Sequence, residues 1–349
     1  MIVSKDANPY LNIRLGPNGA KVGRAYPGTH LTIASVAKGW SQLVVKVGDN
    51  PVTSNLYVSN DYLIDETIPV PQPVGKVKLG LHVMANGNIA GAEAAQGCKF
   101  FMIMDNNMAA HQIKTAFPDA VVMVRRYIRN RIAPADMMNA LEVYPESRLV
   151  YTGYNESDIV GTSVEAIKER AVFDLELARL IKAKAPNARY AAGTFSRGEP
   201  DVTNPTICNV IKSVYAPAFN SGLIDFDQHT YSQTKDLNQS DEDWLVRRWT
   251  KYFELCGFNP ERINSIYSSE TGLDNGAVKG FPALGVTQED FAKWAEKFIS
   301  VNTKPIVMNG KSYSGQFVGG AIFQIGGNGD PQWNAFDVTG YVNTLRRYY

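Results

Sequence analysis

The chain has 349 residues, of which 44% are hydrophobic and 20% charged, and its formal net charge is +1. That suits one large and one small globular domain with an ordinary core, and it excludes a disordered chain. The near-neutral balance argues against a grip on nucleic acid or an anionic membrane surface.

No bilayer-length apolar run occurs, and the opening MIVSKDANPYLNIRLG has no apolar leader core, so no membrane partner is expected. The cysteines Cys98, Cys208 and Cys256 are odd in number and far apart along the chain. With no close pair among them, they predict buried thiols and neither a disulfide framework nor a structural zinc site.

Residues 1–66 contain short alternating runs, LNIRLGPNG, KVGRAYPGTHLTI, KGWSQLVVKV and NLYVSNDYLI, broken by glycine, proline and asparagine. Runs of strand length between turn residues predict a small all-β barrel. Trp40, Tyr57 and Tyr62 are either its core or stacking faces for a ligand. Proline then concentrates in residues 67–75, which read as a stiff linker.

From residue 76 to 349, apolar runs alternate with helical patterns. The runs are KVKLGLHVM (76–84), KFFMIMD (99–105), AVVMVRRY (120–127), RLVYTGYNE (148–156), RYAAGTFS (189–196), GLIDFDQHTY (222–231), INSIYSSET (263–271) and GGAIFQIGG (319–327). Nearly continuous apolar stretches suit strands covered on both faces. Helices are expected over 106–116, over 162–184 with Thr162 as N-cap, over 241–255, over 287–299 from Thr287, and at the C-terminus. Eight strand–helix alternations over this length predict a (β/α)8 barrel, an α/β fold. A doubly wound sheet would want a glycine-rich phosphate loop after the first strand, and LHVMANGNIAG lacks that spacing.

In such a barrel the reacting groups lie at the C-terminal ends of the strands. The ends are polar throughout: His82 and Asn86, Asp105, Arg125-Arg126, Asn155-Glu156, Arg197-Gly198-Glu199, His229-Thr230-Tyr231, Glu270-Thr271-Gly272, and Gln324 leading to Trp333. Charged groups repeated after apolar runs need a reason. Asp225 and Asp227 alternate on the sixth strand but lack a convincing third ligand, so no metal or other cofactor is expected. Trp244, Trp249 and Trp294 fall within helical patterns and are expected to pack.

The order of these motifs resembles the superfamily of retaining glycoside hydrolases that carry two catalytic glutamates on strands four and seven of a barrel. Asn155-Glu156 stands where that group places its acid/base, and Glu270-Thr271-Gly272 where it places its nucleophile. The resemblance implies a retaining hydrolase of β-glycosidic bonds in a polysaccharide or oligosaccharide, with Asn155, His229, Tyr231, Arg125, Arg126, Trp333, His82 and Glu199 around the substrate. Glu199 competes as the acid if the strand count slips by one; otherwise it lines the cleft or pairs with Arg197. Partial burial and an ionised Glu270 nearby predict a raised pKa for Glu156.

The first 66 residues resemble the bacterial SH3 family through Leu11-Asn12-Ile13-Arg14, Gly16-Pro17, Gly28, Gly39-Trp40 and Leu56-Tyr57-Val58, although a GWV-like turn is replaced by Asn55-Leu56-Tyr57-Val58. That implies a module holding the enzyme to cell-wall or matrix polysaccharide, in an extracellular or cell-envelope setting. The alternatives are a non-catalytic carbohydrate-binding barrel and a muramidase-like cell-wall lysin with its carboxylates on other strands.

Overall fold

The doubly covered apolar runs become the eight parallel positions of a closed barrel in a computed structural model. The structure describes residues 2–3, 11–25, 31, 33–37, 40–47, 50–59, 63–64, 77–84, 95–128, 130–156, 163–261, 265–275, 280–325 and 331–349. The chain divides into two compact units, Met1–Pro73 and Val74–Tyr349.

The first unit contains β1 (Ile2–Val3), β2 (Leu11–Leu15), β3 (Lys21–Ala25), β4 (Ile33–Ala37), β5 (Trp40–Val47), β6 (Asn50–Ser59) and β7 (Leu63–Ile64). Strands β2 to β6 form an antiparallel sheet in the order β3-β2-β6-β5-β4, and β1 pairs with β7. The β2–β3 hairpin turns through Gly16-Pro17-Asn18-Gly19. Gly16 and Asn18 have φ of 77° and 60°, and a Cβ on Gly19 would run into the Leu15 carbonyl. Ala25, Leu43 and Val58 are the buried centre of this sheet. Trp40 and Tyr57 are half-buried, while Gly28, Gly39, Tyr62 and the 67–75 linker lie outside the described residues.

The second unit contains the barrel strands β8 (Lys78–Val83), β9 (Phe100–Met104), β10 (Val121–Arg125), β11 (Val150–Thr152), β12 (Arg189–Phe195), β13 (Asp225–Gln228), β14 (Thr230–Ser232) and β15 (Ile266–Leu273). A hairpin of β16 (Ile306–Met308) and β17 (Lys311–Tyr313) precedes the last barrel strand, β18 (Phe317–Ile325). Each barrel strand pairs in parallel with its neighbour, and β18 pairs with β8 to close the ring. The sixth position is split at His229 into β13 and β14, and both pieces lie along β15.

Side-chain alternation sorts these strands. Phe100, Met102, Met123, Val150, Ala191, Tyr267 and Ala321 fill the barrel interior. Their neighbours Phe101, Ile103, Val122, Val124, Tyr151 and Ala192 turn outward against the helices. Truncating a buried aromatic such as Phe101 to alanine would cost about 3–5 kcal/mol.

The helices that cover the barrel include α1 (Asn107–Ala116), α2 (Pro134–Ala140), α3 (Val164–Lys184), α4 (Pro205–Val214), α5 (Ala216–Ser221), α6 (Gln239–Asp241), α7 (Thr250–Glu254) and α8 (Gln288–Thr303). Helix α1 ends before Phe117-Pro118, as the pattern requires, and Thr287 caps α8 by accepting from the Asp290 amide at 3.1 Å. Helix α3 begins one residue later than expected. Ser163 is its N-cap, accepting from the Ala166 amide, and Thr162 lies outside the described residues.

The expected 241–255 helix is broken. Residues Glu242–Val246 form a π turn closed by the Arg247 amide on the Glu242 carbonyl, and α7 starts only at Thr250. The inserted residue lets both Val246 and Trp249 reach the core and leaves Trp244 52% exposed, so Trp244 does not pack as the helical pattern suggested. Trp249 and Trp294 are buried. The C-terminal segment is a chain of short turns over Thr339–Tyr348 and not one helix.

Among the described residues no helix is long and apolar enough to cross a membrane. All three cysteines are free, Cys98 and Cys256 buried and Cys208 half-buried. Cys98 is buried alone, but the fold brings Cys208 Sγ to 3.2 Å from Cys256 Sγ across 48 residues of sequence.

Candidate active site

The period of two along a strand explains which side chains gather at the barrel mouth. Met123 points into the barrel, so Arg125 points the same way one step nearer the C-terminal end. The same parity stacks His82 above Gly80 on β8 and His229 above Asp227 on the sixth strand. Glu156 follows the fourth strand and Glu270 lies within the seventh, so the strand count holds. Gly272, with φ of 140°, lets β15 continue past Thr271 in a conformation that side chains rarely adopt.

Glu270 is almost completely buried and has three cationic or polar neighbours. Arg125 Nη2 donates to its Oε1, and the Tyr231 hydroxyl donates to its Oε2 at 2.9 Å. His229 Nδ1 is 3.5 Å from the same Oε2 and 3.2 Å from Glu156 Oε1. Arg125 Nη1 also donates to Asn155 Oδ1 at 2.7 Å. Because a guanidinium only donates, the Asn155 oxygen must face it, and the Asn155 amide nitrogen is turned away from it. One arginine therefore ties the end of strand four to the glutamate of strand seven.

The ionisation pattern follows from these contacts. Burial opposes the charge on Glu270, but His229 and Arg125 outweigh it and hold the carboxyl well below the usual carboxylate range. Burial would likewise push Glu156 up and Glu270 adds to that push. The charge and hydrogen bond of His229 nevertheless overcome both, so Glu156 is lowered. The expectation of a raised Glu156 is thus corrected, since a buried imidazole stands between the two carboxylates.

His229 pays the converse desolvation penalty, yet Glu270 and Glu156 raise it above its ordinary 6.5. Burial raises Tyr231 well above 10.0, and Glu270 raises it further, so the phenol remains a donor. Burial lowers His82 to about 3 despite Glu270, so it is a neutral ring. Its Nε2 lies 3.9 Å from Glu270 Oε1, which for a neutral ring is not an ion pair.

The remaining expected residues make no described contact with Glu156 or Glu270. Arg126 turns to Asp105, donating to its carbonyl at 2.8 Å, and Asp105 Oδ1 accepts from the Tyr127 amide. Trp333 is half-buried with its ring centroid 5.4 Å from that of Phe323. It adjoins an apolar shelf of Met84, Tyr231, Phe323 and Phe336 beside His82.

Glu199 follows the fifth strand, half-buried, and its charge acts on Tyr252; no described contact joins it to Glu156 or Glu270. Arg197 pairs with Asp274 at 3.4 Å, and of the two alternatives held for Glu199 its pairing with Arg197 is not seen among the described contacts. On the sixth strand Asp225 pairs with Arg189, and Asp227 accepts from the Ser269 amide at 2.8 Å, so both serve the barrel wall.

One ligand atom each from Glu156, His229 and Glu270 lie within 4.8 Å of one another, a spacing a cation could bridge. Arg125 already neutralises Glu270 there, and a metal would meet its guanidinium as a like charge.

Behind the site stands a buried group that the linear pattern does not announce. Arg170 and Asp174 are four apart on α3, a spacing that usually marks a solvent-exposed pair. Here both are buried. Arg170 donates to the carbonyls of Tyr154 and Asn155, while Asp174 accepts from Tyr190 at 2.6 Å, from Tyr215 at 2.9 Å and from the Gly193 amide at 3.0 Å. The hub braces the ends of strands four and five from outside the barrel. The only signal for it is that Arg170 is followed by Ala171 and Asp174 is preceded by Phe173 on a face that must pack.

No family model matches the chain, and no curated protein matches it. Among solved structures, a GH10 endoxylanase retrieved from sugarcane soil metagenome aligns with 78% of this chain and 98% of its own, at 9% identity and a TM-score of 0.50. A monomeric beta-xylosidase from Caulobacter crescentus CB15 aligns with 78% of this chain and 67% of its own, at 13% identity and a TM-score of 0.47. CelM2, a bifunctional glucanase-xylanase from a metagenome library, covers 76% of each chain at 10% identity and a TM-score of 0.46. At such identities the likeness speaks for the barrel fold alone.

Proposed function

We propose that the second unit is a retaining glycoside hydrolase acting on a β-linked polysaccharide or oligosaccharide. The observation that carries this reading is the approach of Glu156 and Glu270 carboxylate oxygens to within 4.8 Å across the mouth of the barrel. Carboxyls about 5–5.5 Å apart suit direct attack on a sugar carbon, whereas the inverting route needs a wider gap to admit water. The similarity of the barrel to that of an endoxylanase supports the same reading of the fold.

In this mechanism Glu270, kept ionised by Arg125 and oriented by Tyr231, attacks the anomeric carbon. Glu156 gives a proton to the departing glycosidic oxygen. In the free site that proton rests on His229 Nδ1, 3.2 Å from Glu156 Oε1. It crosses to the carboxylate as the leaving oxygen approaches and water is displaced. In the second step Glu156 takes a proton from water, which attacks the glycosyl–Glu270 ester. The amide nitrogen of Asn155, turned away from Arg125, donates to the sugar 2-hydroxyl. Trp333 and the Phe323 shelf offer an apolar face to the ring. The first unit, with its five-stranded sheet, reads as a bacterial-SH3-like module that holds the enzyme to polysaccharide, with Trp40 and Tyr57 as its half-buried aromatics.

The test is product release from a panel of β-linked glycans by the wild type, Glu156→Gln and Glu270→Gln, with NMR of the first-formed anomer. Release lost in both folded variants, with a β product first, is the expected result. An α product first would overturn the retaining mechanism. Binding without release by the wild type would replace catalysis with a carbohydrate-binding role.

A further inference from the structure

Cys208 lies on α4, the helix after the fifth strand, and Cys256 lies in the turn after α7, which follows the sixth. Their sulfurs are 3.2 Å apart. The Cys208 thiol also donates to the Leu255 carbonyl at 3.2 Å, which aims it at the turn that presents Cys256. Both residues sit at hydrogen-bonded helix ends: the Cys208 amide donates to the Asn204 carbonyl at 2.9 Å and the Cys256 amide to the Tyr252 carbonyl at 3.1 Å. To reach bonding distance the sulfurs need only move about 1.1 Å closer, within the reach of a side-chain rotation.

We propose that Cys208 and Cys256 are a redox-active pair that closes to a disulfide when the protein meets an oxidised low-molecular-weight thiol. Cys208, half-exposed, attacks the small disulfide as thiolate, giving a mixed disulfide and releasing one small thiol, which takes up the proton lost from Cys208. Cys256 then attacks the Cys208 sulfur and expels the second small thiol, which takes up the Cys256 proton. Two protein thiols are oxidised and one small disulfide is reduced to two thiols. Burial pushes the Cys256 thiol up and makes this second step the slow one. The positive charges of Arg248 and Lys212 act against that rise. Cys98 stands outside the exchange, since it is fully buried, donates to the Phe100 carbonyl at 3.1 Å, and is pushed up by burial to about 12.

The closed loop would run from residue 208 to 256 and so encloses the whole sixth strand, including His229 and Tyr231. The crosslink would restrain that segment in the unfolded chain and raise the melting temperature. This inference does not rest on the hydrolase reading.

The experiment incubates the full chain with oxidised or reduced glutathione, then blocks free thiols under denaturing conditions and measures intact mass and the peptide map. The expected result is one blockable thiol in place of three after oxidation, a linked peptide containing Cys208 and Cys256, and a melting temperature about 5 °C higher or more that returns on reduction. Cys208→Ser should keep the reduced protein's melting temperature and lose the oxidative rise. Three blockable thiols after oxidation, a persistent glutathione adduct on Cys208, or a linkage through Cys98 would each overturn the proposal. The peptide map on the wild type decides the matter even if Cys208→Ser fails to fold.

Discussion

His229 Nδ1 lies 3.2 Å from Glu156 Oε1, so the glutamate at the end of strand four shares a proton with an imidazole from strand six. Their contact lowers Glu156 and raises His229, and the buried Glu270 on the far side adds to the rise, so a proton between them favours the ring. The pH behaviour of the site therefore belongs to the pair.

Replacing His229 by Asn removes the main influence that lowers Glu156 and leaves burial and Glu270, which push its carboxyl up, opposed only by the smaller effect of the Ser196 hydrogen bond. We expect the alkaline limb of kcat/KM to move to lower pH, because the last proton then leaves a carboxyl in place of an imidazole raised above 6.5. At neutral pH kcat should fall at least about tenfold. A limb that stays in place would rule out the shared proton.

Arg125→Leu removes the main hydrogen-bonded cation from Glu270 and leaves a buried carboxylate, costing about 3–5 kcal/mol in a denaturant titration. The sign with pH follows from linkage. The depressed Glu270 contributes stability that is complete above its ordinary 4.5 and lost as pH falls towards its folded value. His229, being raised, contributes stability that is complete below 6.5 and lost as pH rises through its folded value. The variant should accordingly lose less stability than the wild type on acidification below 4.5. An identical acid dependence would show that Arg125 does not hold Glu270 ionised.

Asp174→Asn should leave Arg170 charged and buried without its partner, at a cost of about 3 kcal/mol or more. Activity should fall as well, since Arg170 supports the carbonyls of Tyr154 and Asn155. Thermal unfolding and kcat measured well below the lowered melting temperature separate the two effects. Full kcat under those conditions would confine the hub to stability.

Trp333→Ala should raise KM for an oligosaccharide about tenfold while changing kcat less, because the ring adds a face for the sugar and takes no part in proton transfer. Steady-state kinetics on one defined oligosaccharide check this; an unchanged KM would make Trp333 a cover for Phe323 and Phe336.

The barrel was legible because strands such as Phe100–Met104 are buried on both faces and print themselves as apolar runs. The site was legible where a charge follows such a run, as with Asn155-Glu156 and Glu270-Thr271-Gly272. What stayed hidden depends on three-dimensional neighbours. The lowering of Glu156 arises from a ring 73 residues away in sequence. The Arg170–Asp174 pair has the spacing of a surface ion pair, and only packing shows it to be internal. Trp244 left its expected place because one extra residue in a π turn rotates the helix face. Cys208 and Cys256 meet because successive barrel helices are neighbours, a relation that cysteine spacing alone does not express.

The double grip of Arg125 has a further consequence. Its planar fork spans Asn155 and Glu270, so strand three acts as a ruler that sets the span between strands four and seven. A replacement at any of the three positions disturbs the other two together. Lysine, with a single point charge, could keep the site electrically balanced and still lose the measure. Homologues that alter one arm of the fork should therefore carry a compensating change at another, and a library varying the three positions jointly should recover function that single substitutions lose.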